Sequence, residues 1–198
     1  MVTITLRALT ATALCIFLWR AVTQWLQQPT LTLTLVIIGE LVTLAIYLSA
    51  RPAKEATFRL IAVASTLFAT FFFMFVVLRP GLVLAPLWLT AALQVLGIVW
   101  QVISKLSLGR SFGLLPANRG VVTHGTYRVV RHPIYLGYLI GHLGFLLASF
   151  SVYNLALFSA LYFFQGLRIW EEERLLKSDP IYAQYMQQTK YRILPGLI

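Results

Sequence analysis

Six apolar runs divide the chain, with short polar breaks between them. A helix that crosses a bilayer needs about 20 mainly apolar residues, and four of the six runs reach that length. The runs are residues 3–26, 31–50, 58–78, 82–104, 134–150 and 155–167. Proline punctuates the breaks, as at Pro29, Pro52 and Pro80, which is typical of helix ends. The pattern predicts an all-α, polytopic integral membrane protein with about six transmembrane helices.

The last two apolar runs are short and are separated only by residues 151–154. This spacing predicts a helical hairpin whose two helices need not each cross the full hydrocarbon layer, followed by a cytosolic helical tail. The whole chain, residues 1–198, is interpreted as a single membrane domain. Its first part, residues 1–104, supplies four transmembrane helices, whereas residues 105–198 hold most of the polar positions and any water-facing site.

Composition and charge support a membrane protein and indicate its orientation. Hydrophobic residues make up 59% of the chain and charged residues 11%, whereas soluble domains average about 25% charged. If residues 105–132 are cytoplasmic, alternation places every basic residue except Arg20 and Arg79 on the cytoplasmic side. Both termini are then cytoplasmic, and the net charge of +10 needs no nucleic-acid partner. Small loops favour a bacterial or archaeal inner membrane.

Several polar or small residues fall inside the predicted helices. Ionisable groups at such positions are costly and often functional, and Glu40 and His142 are the examples in this chain. Hydrogen bonding between helices, with Gln94 taking part, is an equally good interpretation. Gly137 and Gly141 are four residues apart, so a second helix or a flat ligand can come close to the fifth helix.

The segment GTYRVVRHPIYLGY at residues 125–138 gathers arginine, histidine and tyrosine around one proline. The residue before proline favours an extended backbone, and proline suits the first turn of a helix. A helix is therefore predicted to begin at Pro133, with Arg131 and His132 at its N-terminal end. Unpaired N–H groups at that end favour an anionic ligand group such as a carboxylate. An aromatic and basic belt at the membrane surface is the alternative.

A second charged cluster, RIWEEERLL at residues 168–176, follows the last apolar run. Arg168 and Glu172 are four residues apart on what should be a continuing helix, so they share a face and can form an ion pair. The carboxylates of Glu171, Glu172 and Glu173 could hold a cationic group such as an ammonium or a sulfonium. A solvated helix whose acids only balance nearby basic residues is the alternative.

Together, the two clusters resemble the carboxy-terminal half of the isoprenylcysteine carboxyl methyltransferase family. The pattern runs from Gly125-Thr126-Tyr127 through R-H-P-x-Y at 131–135 and R-I-x-x-E-E-x-x-L at 168–176 to Tyr182, Tyr185 and Pro195. The related phospholipid N-methyltransferases have a similar carboxy-terminal half. The resemblance covers residues 106–195, and Thr126 stands where the family more often has proline.

This resemblance implies S-adenosylmethionine bound in a cytosol-facing pocket, with a lipid-facing entrance for an apolar acceptor. Arg168 and Glu172 match the catalytic positions, where the family binds the acceptor carboxylate and shapes the site. The residues matching cofactor-binding positions are Tyr127, Arg131, His132, Pro133, Tyr135, Gly137, Glu172 and Glu173. The expected partners are a lipophilic small-molecule acceptor entering from the bilayer and membrane lipids, and no metal is expected. The oligomeric state is left open.

The acceptor and two other functions stay open at this point. A carboxylate acceptor is already nucleophilic at neutral pH, whereas an amine needs deprotonation, by a Glu or by His132. One alternative is an NADPH-dependent sterol-reductase-like enzyme, because KYRILP at residues 190–195 is similar in character to the C-terminal tail of such reductases. Against this alternative, the sequence has no Gly-rich dinucleotide loop. A non-enzymatic scaffold or transporter would rely on Glu40, Gln94 and His142.

Overall fold

The computed structural model describes residues 2–29, 31–77 and 81–197, so the position predicted for Arg79 lies outside the described residues. Helices dominate these ranges, as the apolar pattern predicts. The seven α-helices are α1 (Val2–Gln27), α2 (Leu31–Leu48), α3 (Leu60–Phe71), α4 (Leu87–Leu108), α5 (Pro133–Ala148), α6 (Val152–Leu176) and α7 (Pro180–Gln188). Two short strands, β1 (Glu55–Ala56) and β2 (Ala117–Asn118), pair antiparallel.

The third apolar run forms a shorter α-helix than predicted. α3 ends at Phe71, and the chain continues as a 3-10 turn over Phe72–Phe75, so a single helix over residues 58–78 is wrong. Its 12 residues make α3 about 18 Å long, short of a hydrocarbon layer about 30 Å thick. Three consecutive phenylalanines occupy the point where the helix tightens, residues 71–73.

The fourth run also differs from its predicted bounds, because α4 begins at Leu87, after Pro86, instead of at residue 82. The preceding residues are extended and pair with the turn between α5 and α6. Backbone hydrogen bonds join Leu82 and Phe150 in both directions, at 3.0 and 2.8 Å. A Cβ on Gly81 would collide with the carbonyl oxygen of Phe150, so this pairing needs glycine.

The helical hairpin near the C-terminus is formed by α5 and α6. The turn lies slightly before the predicted residues 151–154, because Ser151 caps α6 by accepting a hydrogen bond from the N–H of Asn154 at 3.1 Å. α6 then runs for 25 residues without a break and includes the charged cluster, as predicted for a continuing helix. The tail is helical only in α7.

Among the described residues, one helical stretch, Leu87–Ser111, is long and apolar enough to cross a membrane. Three apolar helices are shorter: Leu33–Leu48, Leu60–Phe71 and Pro133–Ala148. The six-span arrangement therefore stays a prediction.

Glycines bring α4 and α5 into close contact, and this contact positions the start of α5. A Cβ on Gly97 would lie 2.5 Å from the backbone nitrogen of Gly141, and one on Gly137 would lie 2.8 Å from the carbonyl oxygen of Gly97. Nearer the start of α5, the indole N–H of Trp100 donates to the carbonyl of Pro133 at 2.9 Å. The N-terminus of α5 is thereby anchored to the long helix α4.

Candidate cofactor site

α5 begins at Pro133, as the sequence predicts, and His132 precedes it with a non-helical backbone (φ −125°, ψ 62°). The backbone N–H groups of Arg131 and His132 donate to the carbonyls of Tyr191 and Arg192 at 2.9 and 2.8 Å. The start of α5 therefore lies against the C-terminal segment of the chain.

A cavity opens beside the start of α5 and encloses about 920 Å³, including its mouth. Its walls come from α5, α6, α7 and residues 111–122. Six predicted site residues line it: Tyr127, Arg131, His132, Tyr135, Arg168 and Glu172.

Three polar groups on the cavity wall have bonding capacity to spare. Glu172 makes no hydrogen bond or ion pair with any residue that the structure describes, so the ion pair predicted with Arg168 does not form. Arg168 donates from Nη2 to the carbonyl of Gly113 at 3.4 Å, while its buried Nε has no partner in the described chain. The buried hydroxyl of Tyr182 likewise lacks a partner among the described residues. Buried donors without partners are costly, so these groups suit a polar ligand.

Aromatic rings also line the cavity. The His132 and Tyr135 rings stack with centroids 5.8 Å apart, and the Arg168 guanidinium carbon lies 5.7 Å from the Tyr135 centroid. On α7, the hydroxyl of Tyr185 donates to the carbonyl of Tyr127 at 2.7 Å. Burial raises the pKa of Tyr182 and of Tyr185 above the usual value, so both hydroxyls are protonated donors at neutral pH.

Residues 111–122 form a wall that the motif analysis did not identify. Asn118 ties this segment to α7, because its side-chain amide donates to the carboxylate of Asp179 at 2.9 Å. β1 and the neighbouring backbone of Lys54 hold the other side of the segment. Gly120 has a positive φ of 103°, and a Cβ on Gly113 would collide with the guanidinium of Arg119. These glycines are the one sequence signal that could have indicated an ordered loop here.

Glu173 lies beside the cavity but is not part of its lining. Its Oε1 accepts a hydrogen bond from Nε of Arg131 at 2.8 Å and lies 3.3 Å from Nε2 of His132, and Oε2 accepts one from Nε of Arg192 at 3.1 Å. Burial alone would raise the pKa of Glu173, but the hydrogen bonds and positive charge of His132 and Arg131 outweigh it and lower the pKa to about 2. Glu173 is therefore a carboxylate at neutral pH.

Pro133 and Gly137, two other predicted cofactor positions, also lie outside the cavity lining. Pro133 is fully buried and accepts the hydrogen bond from Trp100. Gly137 faces α4, where a Cβ would lie 2.6 Å from Cγ of Gln101. Of the two partners predicted for this glycine, a second helix or a flat ligand, the structure shows the helix.

The polar residues inside the helices have partners within the protein. His142 Nδ1 lies 2.8 Å from the hydroxyl of Tyr162 on α6, a hydrogen bond between two helices. Lys105 donates to the hydroxyl of Thr43 at 2.8 Å and is near enough to Glu40 for their charges to interact. These contacts agree with the interpretation that such groups hold the helices together. Gln94 differs from it, because its side-chain amide donates within α4, to the carbonyl of Thr90 at 3.3 Å.

Comparison with known proteins places the matching region at this cavity. The phospholipid methyltransferase family matches residues 82–184, just over half of the chain. Protein-S-isoprenylcysteine O-methyltransferase A of Arabidopsis thaliana is 38% identical over 77 residues, which cover 35% of this chain and 39% of the relative. The solved eukaryotic intramembrane Ras methyltransferase ICMT (isoprenylcysteine carboxyl methyltransferase) has a similar fold, with a TM-score of 0.54 and 24% identity over 84% of this chain and 65% of that chain.

This chain thus spans less than two thirds of the length of either relative. The family match contains α4, α5, α6 and the first half of α7, and so both polar clusters and most of the cavity wall. These similarities do not favour the reductase-like or the scaffold alternative. Because the match extends over more than half of its residues, the chain belongs to the phospholipid methyltransferase family.

Proposed function

We propose that this protein is an integral membrane methyltransferase that uses S-adenosylmethionine and acts on a lipophilic acceptor. The observation that supports this most directly is the set of unpartnered groups on the cavity wall. The amino acid end of S-adenosylmethionine has one ammonium and one carboxylate. An ammonium pairs with a carboxylate such as Glu172, and a carboxylate pairs with donors such as Arg168 Nε or the Tyr182 hydroxyl.

The remaining walls suit the nucleoside part of the same cofactor. Apolar residues Leu108, Val121 and Leu176 line the cavity together with the rings of Tyr127 and Tyr135. Ligand sites are mostly apolar with a few polar groups that set the orientation, and this wall follows that pattern. The cavity opens at the end of the bundle where residues 111–122 and α7 meet.

The cofactor would supply a methyl group on a sulfonium sulfur, and transfer of that methyl group to a nucleophile would release S-adenosylhomocysteine as the thioether leaving group. The protein's contribution is then alignment of the two reactants and exclusion of water. Glu172 would orient the cofactor through its ammonium, and the stacked rings of His132 and Tyr135 would contribute to the wall of its site. Arg168, on the same wall, would hold a carboxylate acceptor, which leaves the Tyr182 hydroxyl as the donor to the cofactor's carboxylate. With an amine acceptor, His132 would take the proton.

Calorimetric titration of S-adenosylhomocysteine into the detergent-purified protein tests the proposal, with NADPH as a parallel ligand. We expect S-adenosylhomocysteine alone to bind. Glu172→Gln should weaken this binding about tenfold or more, because it removes a charge-assisted contact. Glu55→Gln is the matched control, since it removes an exposed carboxylate away from the cavity and should leave binding unchanged.

Two results would contradict the proposal. Binding of NADPH instead of S-adenosylhomocysteine would favour a reductase. If Glu172→Gln bound S-adenosylhomocysteine as tightly as the wild type, Glu172 would not be the partner of the cofactor's ammonium. The acceptor class is tested separately, by incubating the protein in membranes with methyl-labelled cofactor. Label should appear in the organic-solvent extract, and base-labile label would identify a methyl ester from a carboxylate acceptor.

A further inference from the structure

We infer that Glu173 is a positioning residue, which fastens residues 189–192 to the start of α5 and so shapes the cavity without contacting the cofactor. The inference rests on the proposed function and assigns different tasks to two adjacent glutamates. Successive residues on an α-helix point about 100° apart. Glu172 accordingly lines the cavity, whereas Glu173 is turned away from it and is only 2% exposed.

Three cationic or potentially cationic side chains meet at this one carboxylate. Arg131 and His132 come from the start of α5, and Arg192 comes from the C-terminal segment. Glu173 itself belongs to α6, so the carboxylate joins three parts of the chain that are distant in sequence. Both of its oxygens are occupied by these partners, which leaves it little capacity for a ligand.

The C-terminal segment is bound to the start of α5 by the backbone as well. Nη1 of Arg131 donates to the carbonyls of Thr189 and Lys190 at 2.9 and 2.6 Å. The N–H groups of Arg131 and His132 donate to the next two carbonyls of the segment, at residues 191 and 192. Because Glu173 orients the Arg131 guanidinium through Nε, loss of its charge would disturb all of these bonds.

The fastened segment matters for the cavity because it determines where the lining residues sit. His132 is held on one side by Glu173 and stacks on the other with Tyr135. The hydroxyl of Thr189 lies 3.5 Å from the Tyr127 carbonyl that also accepts the hydrogen bond from Tyr185. Displacement of residues 189–192 would therefore move the wall formed by His132, Tyr127 and Tyr185.

Hydrogen exchange on the full-length protein without ligand tests the fastening directly. The amides of Arg131 and His132 should be protected from exchange in the wild type, since both donate to carbonyls of the C-terminal segment. Glu173→Gln should accelerate their exchange at least about tenfold. Glu172→Gln is the matched control, an identical change one position earlier, and should leave their exchange unchanged.

Titration with S-adenosylhomocysteine then tests the consequence for the cavity. We expect Glu173→Gln to weaken binding about tenfold to a hundredfold, because small displacements of binding groups have effects of this size. Should Glu173→Gln fail to fold, Arg192→Gln takes its place. Arg192 is 40% exposed, so this variant removes one partner without leaving a buried charge unpaired. We expect Arg192→Gln to accelerate hydrogen exchange at the same two amides and to weaken S-adenosylhomocysteine binding less than Glu173→Gln does.

The inference is overturned if Glu173→Gln, or Arg192→Gln in its place, leaves the exchange of these amides at the wild-type rate. Accelerated exchange with unchanged binding overturns it too, since the fastening would then not shape the site. If the wild-type protein itself binds no S-adenosylhomocysteine, the proposed function fails, and the exchange rates alone decide whether Glu173 fastens the segment.

Discussion

At the scale of single residues, Tyr182 and Tyr185 show how neighbouring side chains on one helix acquire different tasks. Both are buried on α7 and both line the cavity, with ring centroids 5.7 Å apart. The Tyr185 hydroxyl has a partner, the carbonyl of Tyr127, whereas the Tyr182 hydroxyl has none within the described ranges. A structural hydroxyl and a ligand-binding hydroxyl should respond differently to replacement by phenylalanine.

We expect Tyr182→Phe to leave the free energy of unfolding unchanged or to raise it, because it removes a buried hydroxyl that has no partner among the described residues. The same change should weaken S-adenosylhomocysteine binding about threefold to tenfold. Tyr185→Phe should instead lower the free energy of unfolding by about 1 kcal/mol, since it removes the shorter of the two hydrogen bonds to the Tyr127 carbonyl. Thermal unfolding and S-adenosylhomocysteine titration of both variants test these two predictions. A loss of stability in Tyr182→Phe together with a loss of binding in Tyr185→Phe would contradict them.

The low pKa of Glu173 predicts a pH-dependent contribution to stability. Its pKa is lowered from 4.5 to about 2 in the folded protein, so the carboxylate stabilises the fold above pH 4.5 and loses this effect as the pH falls through 2. The full effect is on the order of 3 kcal/mol. Glu173→Gln should therefore unfold at a lower temperature than the wild type at pH 7, and the gap should narrow below pH 4.5. A difference in unfolding temperature between the two proteins that stays constant from pH 7 to pH 3 would contradict the lowered pKa of Glu173.

At the scale of elements, the helices follow the apolar pattern while their ends follow local contacts. The pattern predicts α1, α2, α5 and the continuous α6, and the start of α5 is confirmed to the residue because proline sets it. The ends of α3 and the start of α4 are not readable from hydropathy. Residues 82–84 are as apolar as a helix interior, but they pair with the backbone of residues 147 and 150 instead.

The contact between α4 and α5 predicts opposite effects for two glycine substitutions. Gly137→Ala would place a Cβ 2.8 Å from the Gly97 carbonyl oxygen, and such overpacking costs about 1–3 kcal/mol. Gly166→Ala on α6 meets nothing within 4 Å, so it should be neutral or stabilising by up to about 1 kcal/mol. Thermal unfolding in detergent measures both.

Gly137→Ala also tests the cofactor-binding role that the family resemblance implies for Gly137. If this glycine contacted the cofactor, Gly137→Ala would weaken S-adenosylhomocysteine binding while leaving the unfolding temperature as in the wild type. A lowered unfolding temperature indicates the helix contact.

At the scale of the whole molecule, segments predicted on the same side of the membrane meet in the structure. The backbones of Arg51 and Arg110 are joined at 2.8 Å, and both belong to segments predicted to be cytoplasmic. At the opposite end, Leu82 pairs with Phe150, and both belong to segments predicted to face away from the cytoplasm. The fold thus has two ends at which these loops meet, and the alternation of six helices across a membrane stays a prediction.

Cysteine labelling in intact cells tests this topology, because Cys15 is the single cysteine of the chain and Cys15→Ser gives a background without one. A membrane-impermeant maleimide should label cysteines placed at Gln28 and Val83 from outside. Cysteines at Ala53 and Ser178 should be labelled only after the cells are permeabilised. All four positions are exposed. Labelling of Ser178→Cys from outside would contradict cytoplasmic placement of the tail.

The sequence by itself determined the helical membrane architecture, the start of α5 and the two polar clusters, because hydropathy and proline act locally along the chain. It also brought out six residues that prove to line one cavity: Tyr127, Arg131, His132, Tyr135, Arg168 and Glu172. Only the tertiary structure decided that Glu173 and Gly137 lie outside that cavity, and that Tyr182 and residues 111–122 lie on its wall. Which side of a helix meets which neighbour depends on contacts between distant segments, and a spacing of one or four residues does not contain that information.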